Sequence, residues 1–485
     1  MFFAYPRRIA CNAGAVINDG VQLATQVGSK MLEVIILAAG QGSRMQSSIP
    51  KALHTLAGRP LVAHVLQTAR RLNADRIHVV VGYGAEAVQS AVAASDVQCY
   101  LQAEQLGTGH AVKQAISSCE PTSTVLVLFG DVPLITEKAL RSVLANVETG
   151  VAMLSATLPN PAGYGRVVRS AAGEFVAVVE ERDATPEQRA LQEINTGVLA
   201  AKAQRLAGWL DRVGNQNAQA EYCLPDVLGL ASKDGMRVEV VCSDDDLDTQ
   251  GVNTPQQLEQ LERLHQGALA DQLMNGGVRV SDRSRLDIRG RLQCGRDVRI
   301  DINVVIEGDV VLGDGVSIGA NCILRDTQVG DGAQILPFSY LDGSKVGVRS
   351  VIGPYARLRA GSVVGERAKV GNFVEIKNAH IGEGAKANHL AYIGDADIGT
   401  ETNVGAGTIT CNYDGATKHR TTLGDGVFIG SNSTLVAPLT VDSGGFVAAG
   451  STVTDDVAAN QLAVARGRQR NVDGWTRPTK DGERD

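Results

Sequence analysis

The sequence contains two different hydrophobic patterns. Between residues 31 and 253, short runs of β-branched residues alternate with amphipathic segments in which apolar residues recur every three or four positions. The runs are typical of buried parallel strands, and the amphipathic segments are typical of the helices that cover them. The alternation predicts a doubly wound α/β domain over residues 31–254, with its site at the carboxyl ends of the strands. The predicted strands are EVIILAA (33–39), RIHVVVGY (76–83), TVLVLF (124–129), VAMLSATL (151–158) and RVEVVC (237–242).

One helix inside this domain has a clear start. In the segment PLVAHVLQTARRL, Pro60 suits a first helical position. The spacing of the apolar residues after it predicts one buried face, formed by Leu61, Val65, Leu66 and Ala69.

A second helix is predicted where the first pattern ends. Thr254 suits an N-cap, Pro255 the first helical position, and Gln257 the closing position of a capping box. The signals predict a helix over 255–274 within a linker segment 255–277, which ends at two glycines. Five leucines in this helix could pack on either neighbour: Leu258, Leu261, Leu264, Leu269 and Leu273.

The second pattern is a repeat of six residues. Between 312 and 430, thirteen aliphatic–glycine pairs are separated by multiples of six or by one residue more or less. A six-residue unit with one buried aliphatic residue fits a short strand and a corner, so we expect a solenoid with a continuous core over 278–466. The 19-residue interval between Val404 and Leu423 breaks the period and predicts a loop. The pairs begin at Leu312, Ile318, Val329, Val346, Ile352, Val364, Val370, Ile381, Ile393, Ile398, Val404, Leu423 and Ile429.

The composition agrees with this division and excludes some classes of protein. Of the 54 glycines, 27 lie between 278 and 450, and the 485 residues allow two to four domains. The net charge of −7 argues against a general binder of nucleic acid or anionic membranes. No apolar run reaches the ~18 to 20 residues that span a bilayer. The eight cysteines are scattered without a C-x-x-C pair, which favours the reducing cytoplasm.

The two ends of the sequence are expected to stand outside the chemistry. Residues 1–30 lack the continuous apolar region of a signal peptide, and we interpret them as an extension or a misassigned start. Residues 467–485 are predicted to form a polar, glycine-containing tail.

The turn after the first strand is suited to binding phosphate. The string LAAGQGSRM covers 37–45, and Pro50 and Lys51 follow it. A glycine-rich turn between a strand and a helix lets backbone N–H groups approach a phosphate chain, and Arg44 and Lys51 add positive charge. The spacing is neither that of a Walker A motif nor that of a dinucleotide G-x-G-x-x-G motif.

This string resembles the signature of sugar-1-phosphate nucleotidyltransferases. Six more matching motifs follow in order: QAEQLGTGHA (102–111), FGDVPL (129–134), GYGR (163–166), VVEERDAT (178–185), EINTG (193–197) and GVNT (251–254). Together with the repeat, residues 31–475 resemble the family of bifunctional N-acetylglucosamine-1-phosphate uridylyltransferases and glucosamine-1-phosphate N-acetyltransferases. The resemblance implies a Rossmann-like nucleotidyltransferase domain and a left-handed parallel β-helix with three six-residue units per coil.

For the first domain, the resemblance implies transfer of UMP from UTP to N-acetylglucosamine 1-phosphate. Mg²⁺ would be held by Asp131 and Asn253, whose oxygen atoms suit a hard cation, although a turn residue and a helix-flanking residue are the structural alternatives. Arg44 and Lys51 would neutralise charge on the phosphates as catalytic residues. The residues implied to bind UTP or the UDP-sugar are Leu37, Ala38, Gly40, Lys51, Gln102, Gly107, Thr108, Gly130, Gly165, Glu180, Asn195 and Asn253.

For the solenoid, the resemblance implies acetyl transfer from acetyl-CoA to glucosamine 1-phosphate. His389 would be the general base for the amine, because an ordinary histidine pKa of about 6.5 lies near neutral pH. A backbone N–H near Tyr413 would stabilise the oxyanion. Glucosamine 1-phosphate would contact Arg359, Lys377, Tyr392 and Asn403, and acetyl-CoA would contact Ala406, Asn412, Tyr413, Ser431, Ala449 and Arg466.

Three places depart from the family pattern. Asn388 stands where glycine usually precedes the histidine, Ala360 replaces a proline, and EYCLPD (221–226) differs from the usual E-Y-Y-x-T-D. A side chain at position 388 can alter the orientation of His389.

Two other functions remain open from the residues alone. The protein could be a single-activity sugar-1-phosphate nucleotidyltransferase whose solenoid is an assembly scaffold, or the solenoid could be a non-catalytic binding module. The expected convergence of Arg359, Lys377, His389 and Tyr392 argues against both, because a scaffold does not need these side chains. By resemblance we expect a cytoplasmic homotrimer with small-molecule substrates and coenzyme A between subunits, producing UDP-N-acetylglucosamine for the cell envelope.

Overall fold

The computed structural model describes residues 31–477, apart from the side chain of Asp246. The expected extension at 1–30 and the last part of the expected tail lie outside the described residues. Within 31–477, none of the helices combines the length and the apolar character needed to cross a bilayer.

A nine-stranded sheet organises the first domain, and a small β2–β3 hairpin lies beside it. The strands are β1 Leu32–Ala38, β2 Thr55–Leu56, β3 Arg59–Pro60, β4 Arg76–Val81, β5 Val97–Leu101, β6 Thr124–Phe129, β7 Gly150–Thr157, β8 Arg166–Arg169, β9 Phe175–Val179, β10 Glu193–Lys202 and β11 Arg237–Cys242. The order is β11-β7-β10-β6-β1-β4-β5, with β8 and β9 attached at β10. All five predicted runs are strands, but β10 lies antiparallel between β6 and β7, so the sheet is mixed rather than wholly parallel.

Helices cover both faces of this sheet, which confirms the doubly wound fold. They are α1 Leu61–Arg71, α2 Ala85–Val92, α3 Thr108–Ile116, α4 Glu137–Leu144, α5 Pro186–Arg189, α6 Ala203–Leu210 and α7 Asp226–Lys233. Residues of α1, α2 and α4 belong to one core cluster, and residues of α3, α6 and α7 belong to the cluster on the opposite face.

Helix α1 has the predicted buried face but not the predicted start. Leu61, Val65, Leu66 and Ala69 are all buried. The helix begins at Leu61, so the placement of Pro60 at the first helical position was wrong. Pro60 is the N-cap with extended backbone because it pairs with Thr55 in the β2–β3 hairpin.

Helix α8, Pro255–Asn275, joins the first domain to the solenoid. The capping box is confirmed, since Thr254 Oγ1 accepts from Gln257 N and Gln257 Oε1 accepts from Thr254 N. Leu261 packs into a small cluster of the first domain, whereas Leu269 and Leu273 pack against the solenoid core. The two ends of the helix therefore bind different domains.

A chain of hydrogen bonds crosses the same junction. The backbone N of Ala57, in the β2–β3 turn, donates to Glu262 Oε2 at 2.7 Å, and Gln266 Nε2 donates to Glu262 Oε1 at 2.8 Å. The side-chain amide of Gln266, only 2% exposed, also pairs with the backbone N and O of Ile288 at 2.8 and 2.9 Å. Because Ile288 lies in the first strand of its sheet, α8 satisfies the open edge of the first coil.

The repeat forms a parallel β-helix, as its six-residue period predicts. Strands of successive coils pair 17 or 18 residues apart, for example Ile318 with Ile335 and Ile352 with Val370, so one coil holds three six-residue units. All thirteen predicted aliphatic residues lie in one core cluster and are at most 4% exposed. The aliphatic ladder is the core of this domain, and the predicted left-handed β-helix fits it.

The solenoid strands form two sheets, of which the second contains two parallel ladders. The eleven-stranded sheet contains Arg279–Val280, Arg299–Ile300, Ser317–Ile318, Gln334–Ile335, Val351–Ile352, Lys369–Asn372, Lys386–His389, Asn403–Val404, Phe428–Ile429, Phe446–Val447 and Leu462–Ala463. The seventeen-stranded sheet contains Leu286–Cys294, Val304–Leu312, Ile323–Arg325, Gln328–Val329, Tyr340–Asp342, Lys345–Val346, Arg357–Leu358, Val363–Val364, Glu375–Lys377, His380–Ile381, Tyr392–Gly394, Ala396–Ile398, Ile409–Cys411, Thr421–Leu423, Thr434–Val436, Leu439–Val441 and Thr452–Val453.

The predicted break in the period is confirmed as a loop. Val404 pairs with Ile429, so this coil is longer than its neighbours by about one six-residue unit. The extra residues form a loop over 412–420, called here the inserted loop, which is closed by an antiparallel bridge between Tyr413 and Lys418.

A half-buried histidine makes the junction sensitive to acid. His64 Nε2 lies 2.9 Å from the backbone O of Leu56, and its ring contacts that of His265. Burial lowers the pKa of His64 from 6.5 to about 4, and the positive charge of Arg59 acts in the same direction. The unfolded chain binds a proton at His64 more readily than the folded chain does. The free energy of unfolding therefore has its full value above about pH 6.5 and falls by up to about 3 kcal/mol as the pH approaches 4.

We predict that the variant His64→Gln loses less stability than the wild type between pH 6.5 and 4, since glutamine cannot take up the proton. Urea unfolding across this range measures the free energy of unfolding of both. His380→Gln, which changes an exposed histidine of the solenoid, is the control and should keep the wild-type slope. Equal pH slopes for the wild type and His64→Gln would contradict the prediction.

Candidate active sites

The glycine-rich turn predicted to bind phosphate borders a cavity of about 230 Å³ at the carboxyl ends of the strands. Phe129, at the end of β6, and Glu221 also line it, although neither was predicted as a site residue. The predicted residues that line the cavity are Leu37, Ala38, Gly40, Lys51, Gln102, Gly107, Thr108 and Asp131.

Two glycines let the walls of this cavity approach each other closely. Gly42 has φ +69°, and a Cβ there would lie 2.8 Å from Lys51 Cβ, so the glycine lets Lys51 pack against the turn. Gly107 has φ +109°, and a Cβ there would lie 2.7 Å from Tyr222 O. The buried Gln102 donates from Nε2 to Gly107 O at 3.1 Å and fixes this side of the opening.

The predicted metal ligands, Asp131 and Asn253, both contact the ammonium group of Lys51. Lys51 Nζ forms an ion pair with Asp131 and donates to Asn253 Oδ1 at 2.6 Å, and Arg44 donates to the same Asn253 oxygen at 2.8 Å. Gln257 Oε1 accepts from the backbone N of Asn253 at 2.8 Å and so ties it to helix α8. A carboxylate and an amide oxygen that share one cationic partner fit a hard divalent cation.

A neighbouring cavity of about 240 Å³ contains the predicted sugar residues Gly165, Glu180 and Asn195. It shares Thr108, Phe129 and Glu221 with the first cavity, so the two cavities adjoin.

The residues predicted to contact the sugar lie in or next to the antiparallel strands β8, β9 and β10. A Cβ on Gly165 would lie 3.1 Å from Glu180 Oε1, so the glycine lets the carboxyl group approach. Burial raises the pKa of Glu180, and Asp226 adds to the effect. Asn195 donates from its backbone N to Gly165 O at 2.8 Å.

Gly130 is a predicted nucleotide contact that is absent from the lining of both cavities. Its backbone N donates to Leu37 O at 2.9 Å, which joins the end of β6 to the end of β1.

A different group of possible metal ligands lies at the opposite end of β1. Glu33, His78 and Cys119 are buried together, with ligand atoms within 4.8 Å of one another. His78 Nε2 lies 2.8 Å from Glu33 Oε2, and burial raises the pKa of Cys119 to about 12. Glu33 is near the start of a strand whose far end meets the phosphate turn, roughly 15 Å away at 3.3 Å per residue. This group is therefore separate from Asp131 and Asn253.

In the solenoid, the coil register stacks predicted residues into columns. Asn372 and His389 are paired in register, and the pairing of Val404 with Ile429 and of Ile429 with Val447 continues the alignment. Backbone hydrogen bonds between corners follow the same alignment. We call this set the catalytic corner; it consists of Asn372, His389, Ala406, Ser431 and Ala449. Ala406, Ser431 and Ala449, which follow His389 in the column, have small side chains, so the surface beside His389 carries no bulky group.

Asn372 is a member of this corner that the sequence analysis missed. His389 Nδ1 lies 2.6 Å from Asn372 Oδ1. If Nδ1 donates this bond, Nε2 is the free acceptor, as a base requires. Asn372 lies 17 residues before His389, one coil, so the period of the repeat was the signal that could have identified it. The ring bonds to Asn372 and not to Asn388, the departure from the family pattern.

The predicted phosphate ligands share a second column. Arg359 and Lys377 occupy the same position in adjacent coils, and Lys377 pairs in register with Gly394. The Tyr392 hydroxyl lies over Gly394, where a Cβ would collide with it. Arg359 donates to Glu375 Oε1 at 3.0 Å. The two cations and the phenol are therefore neighbours on one face.

Asn403 does not join them within one chain. Lys377 and Tyr392 lie in the seventeen-stranded sheet, and Arg359 directly follows one of its strands. His389 and Asn403 both lie in the eleven-stranded sheet, but His389 ends its strand three residues before Tyr392, whereas Asn403 pairs with Lys386 at the start of that strand. The four predicted glucosamine 1-phosphate residues thus occupy two different sheets.

The other predicted acetyl-CoA residues are at the end of the column and in the inserted loop. Arg466 donates to Ala449 O at 2.9 Å, next to the last member of the catalytic corner. Tyr413 is 60% exposed, and its hydroxyl donates to Gly415 O at 2.6 Å. The side chain of Asn412 is instead buried and donates to Asp395, so of the two predicted residues in this loop it is Tyr413 that has an exposed side chain.

Family models match a part of each half of the chain. Residues 34–198 match the MobA-like NTP transferase domain family, and residues 288–381 match the GMPPB C-terminal domain family. A solved structure of a putative glucose-1-phosphate thymidylyltransferase from Bacillus anthracis aligns with a TM-score of 0.40 and 16% identity, covering 48% of this chain and 94% of that one, too distant to bear on function.

Curated relatives match both domains together. The Bifunctional protein GlmU of Burkholderia vietnamiensis and that of Pseudomonas entomophila are each 52% identical over 450 residues. The protein of the same name from Stutzerimonas stutzeri is also 52% identical. Each alignment covers 93% of this chain and 99% of the relative. The chain therefore belongs to the GlmU family, the bifunctional nucleotidyltransferases and N-acetyltransferases of UDP-N-acetylglucosamine synthesis.

Proposed function

We propose that the two activities use separate sites, the cavities of the first domain and the catalytic corner of the solenoid. Residues 31–254 would carry uridylyl transfer, 255–277 the link, 278–466 acetyl transfer, and 467–485 the tail. The supporting observation is that the predicted residues of each reaction cluster in their own domain, with helix α8 between them.

In uridylyl transfer, the sugar phosphate oxygen attacks the α-phosphorus of UTP and pyrophosphate leaves. Leu37, Ala38, Gly40 and Gln102 border the space for the nucleoside, and the adjoining cavity receives the sugar. Because no protein nucleophile is needed, the task of the chain is to align the phosphates and to neutralise their charge with Arg44 and Lys51.

Asp131 and Asn253 are proposed as the Mg²⁺ ligands. Their oxygen atoms already share Lys51 Nζ as one cationic partner, so the pair is preorganised for positive charge. Bound there, the ion would supply charge to the phosphate oxygens. Lys51 would then be free to contact the phosphate chain.

In acetyl transfer, His389 takes a proton from the amine of glucosamine 1-phosphate as the amine attacks the thioester carbon of acetyl-CoA. Asn372 keeps the ring oriented through Nδ1. Arg359, Lys377 and Tyr392 hold the sugar phosphate, and the row of small residues beside His389 leaves room for the pantetheine arm. The oxyanion would be stabilised by a backbone N–H near Tyr413, and coenzyme A leaves as the thiol.

We predict that His389→Ala abolishes acetyl transfer and keeps uridylyl transfer, and that Asp131→Ala does the reverse. Removal of the base or of the metal ligand stops only the reaction that needs it. The two reactions are measured separately, with labelled acetyl-CoA and with UTP plus N-acetylglucosamine 1-phosphate. Loss of both activities in either variant would refute separate sites.

A further prediction concerns the space above Gly394. In Gly394→Ala, the added methyl group displaces the Tyr392 hydroxyl, so we expect the KM for glucosamine 1-phosphate to rise about tenfold with little change in the KM for acetyl-CoA. Gly426→Ala, where φ is +65° and a Cβ meets no atom within 4 Å, controls for changing a solenoid glycine outside the inserted loop. An unchanged KM in Gly394→Ala would rule out this role for Tyr392.

We further propose a homotrimer in which neighbouring solenoids complete each acetyl-transfer site. Asn403 pairs with Lys386, at the start of the strand that ends at His389, so it lies away from the corner that leads to Tyr392, and a second copy would bring it to the other phosphate ligands. An exposed ridge of stacked rings, Phe338, Tyr355 and Phe373, with centroids 4.8 and 5.3 Å apart, leads along the corner to Leu390, the neighbour of His389. An apolar ridge of this length favours contact with another protein surface.

Light scattering should give three times the mass of one chain. The double variant Tyr355→Asn and Phe373→Asn suits the left-handed backbone of these residues and removes the ridge, so we expect a smaller mass and weaker acetyl transfer with uridylyl transfer retained. Leu101→Asn, at an exposed leucine of the first domain, should leave the mass unchanged. A monomeric mass for the wild type would contradict the proposal.

A further inference from the structure

Asp395 has a nearly buried carboxylate between the proposed sites for the sugar phosphate and coenzyme A. It is 8% exposed, and each of its oxygens accepts from a side-chain amide. Asn378 Nδ2 donates to Oδ1 at 2.6 Å, and Asn412 Nδ2 donates to Oδ2. A buried carboxylate is costly unless it is hydrogen-bonded, and here two neutral amides from two other coils provide the bonds.

The surroundings keep this carboxylate ionised. Burial alone raises its pKa, but the amides of Asn378 and Asn412 and the charges of Lys377 and Lys418 outweigh burial and hold the pKa below its usual value. Asp395 is therefore an anion that binds its two amides strongly at neutral pH.

The backbone at this corner does not itself require a carboxylate. Asp326, Gly343, Gly361, Asn378 and Asp395 stack at the same corner, and all have positive φ. Glycine and asparagine serve this corner in other coils, and the earlier aspartate, Asp326, is exposed. The buried charge at position 395 thus calls for a reason other than turn geometry.

The contacts of Asp395 reach both proposed substrate sites. Asn378 directly follows Lys377, and the backbone N of Asp395 donates to Lys377 O at 2.9 Å. Asn412 begins the inserted loop directly before Tyr413, and Thr421 N, where the chain rejoins the coil, donates to Asp395 O at 3.1 Å. One residue therefore holds both ends of the inserted loop and the backbone of Lys377.

We propose that Asp395 is a positioning residue for acetyl transfer, which sets the inserted loop, and with it the thioester of coenzyme A, relative to the sugar phosphate held by Lys377. This inference rests on the proposed acetyl-transfer site. A misplacement of about 1 Å between reacting groups can lower the rate by about 100-fold, so a small shift of the loop is sufficient to affect the reaction.

The test is Asp395→Asn, which removes the charge at almost constant volume and leaves one oxygen for two amides. We expect kcat for acetyl transfer to fall about 10- to 100-fold and the KM for acetyl-CoA to rise, with uridylyl transfer unchanged. Hydrogen exchange should become faster at the backbone amides of residues 412–420 in the full-length variant. A residue with only a structural role would not produce this combination.

Two further variants make the test decisive. Asp326→Asn changes an aspartate with the same backbone conformation at the same corner, away from the site, and should leave acetyl transfer unchanged. Asn378→Gly keeps the left-handed corner and removes one of the two amides, so we expect a smaller fall in the same parameters. This variant decides the question if Asp395→Asn does not fold.

The role of Asp395 is refuted if a folded Asp395→Asn or Asn378→Gly keeps wild-type acetyl-transfer kinetics. It is also refuted if Asp326→Asn lowers the rate of acetyl transfer as much as Asp395→Asn does. The same holds if Asp395→Asn lowers uridylyl transfer by the same factor as acetyl transfer. Absence of acetyl transfer in the wild type would instead contradict the proposed function, which makes the two failures distinguishable.

Discussion

The hydrogen bonding of each solenoid coil to the next is the constraint on which the solenoid, with its proposed acetyl-transfer site, depends. Because strands pair 17 or 18 residues apart, a residue at a given point of one coil lies directly beside its counterpart in the next. The aliphatic residues stack into a core for this reason, and the polar residues between them stack into surface columns. His389 with its row of small neighbours, and Arg359 with Lys377, are both products of this register.

The inserted loop interrupts the register of the coils, and helix α8 covers the edge of the first coil. Polar contacts stabilise both places. At the loop, Asp395 binds amides from two coils, while Arg420 is paired with Asp397. At the first coil, Gln266 completes the hydrogen bonds of an open strand edge and links through Glu262 to the first domain. A buried polar side chain costs free energy unless it is hydrogen-bonded, and the side-chain oxygen and nitrogen atoms of Asp395 and Gln266 all have partners.

Local signals predicted five of the nine strands in the main sheet of the first domain. The five apolar runs are strands, and the capping box at Thr254 and Gln257 sets the start of helix α8. The antiparallel strand β10 was missed because its residues also carry the EINTG motif and contain no continuous apolar run before Val198. The capping role of Gln257 was predicted, but its second contact was not: Gln257 Oε1 also accepts a hydrogen bond from the backbone N of Asn253.

The sequence by itself determined the period of the solenoid, the position of its interruption and the place of the glycine-rich turn, because these depend on spacing along the chain, while its resemblance to a known family implied the residues of both sites. Tertiary structure decided which of these residues meet. Lys51 lies between Asp131 and Asn253, the Tyr392 ring fills the space above Gly394, and Asn403 belongs to another sheet. Such contacts join residues far apart in sequence, and they depend on side-chain packing and coil register, which local propensities do not encode.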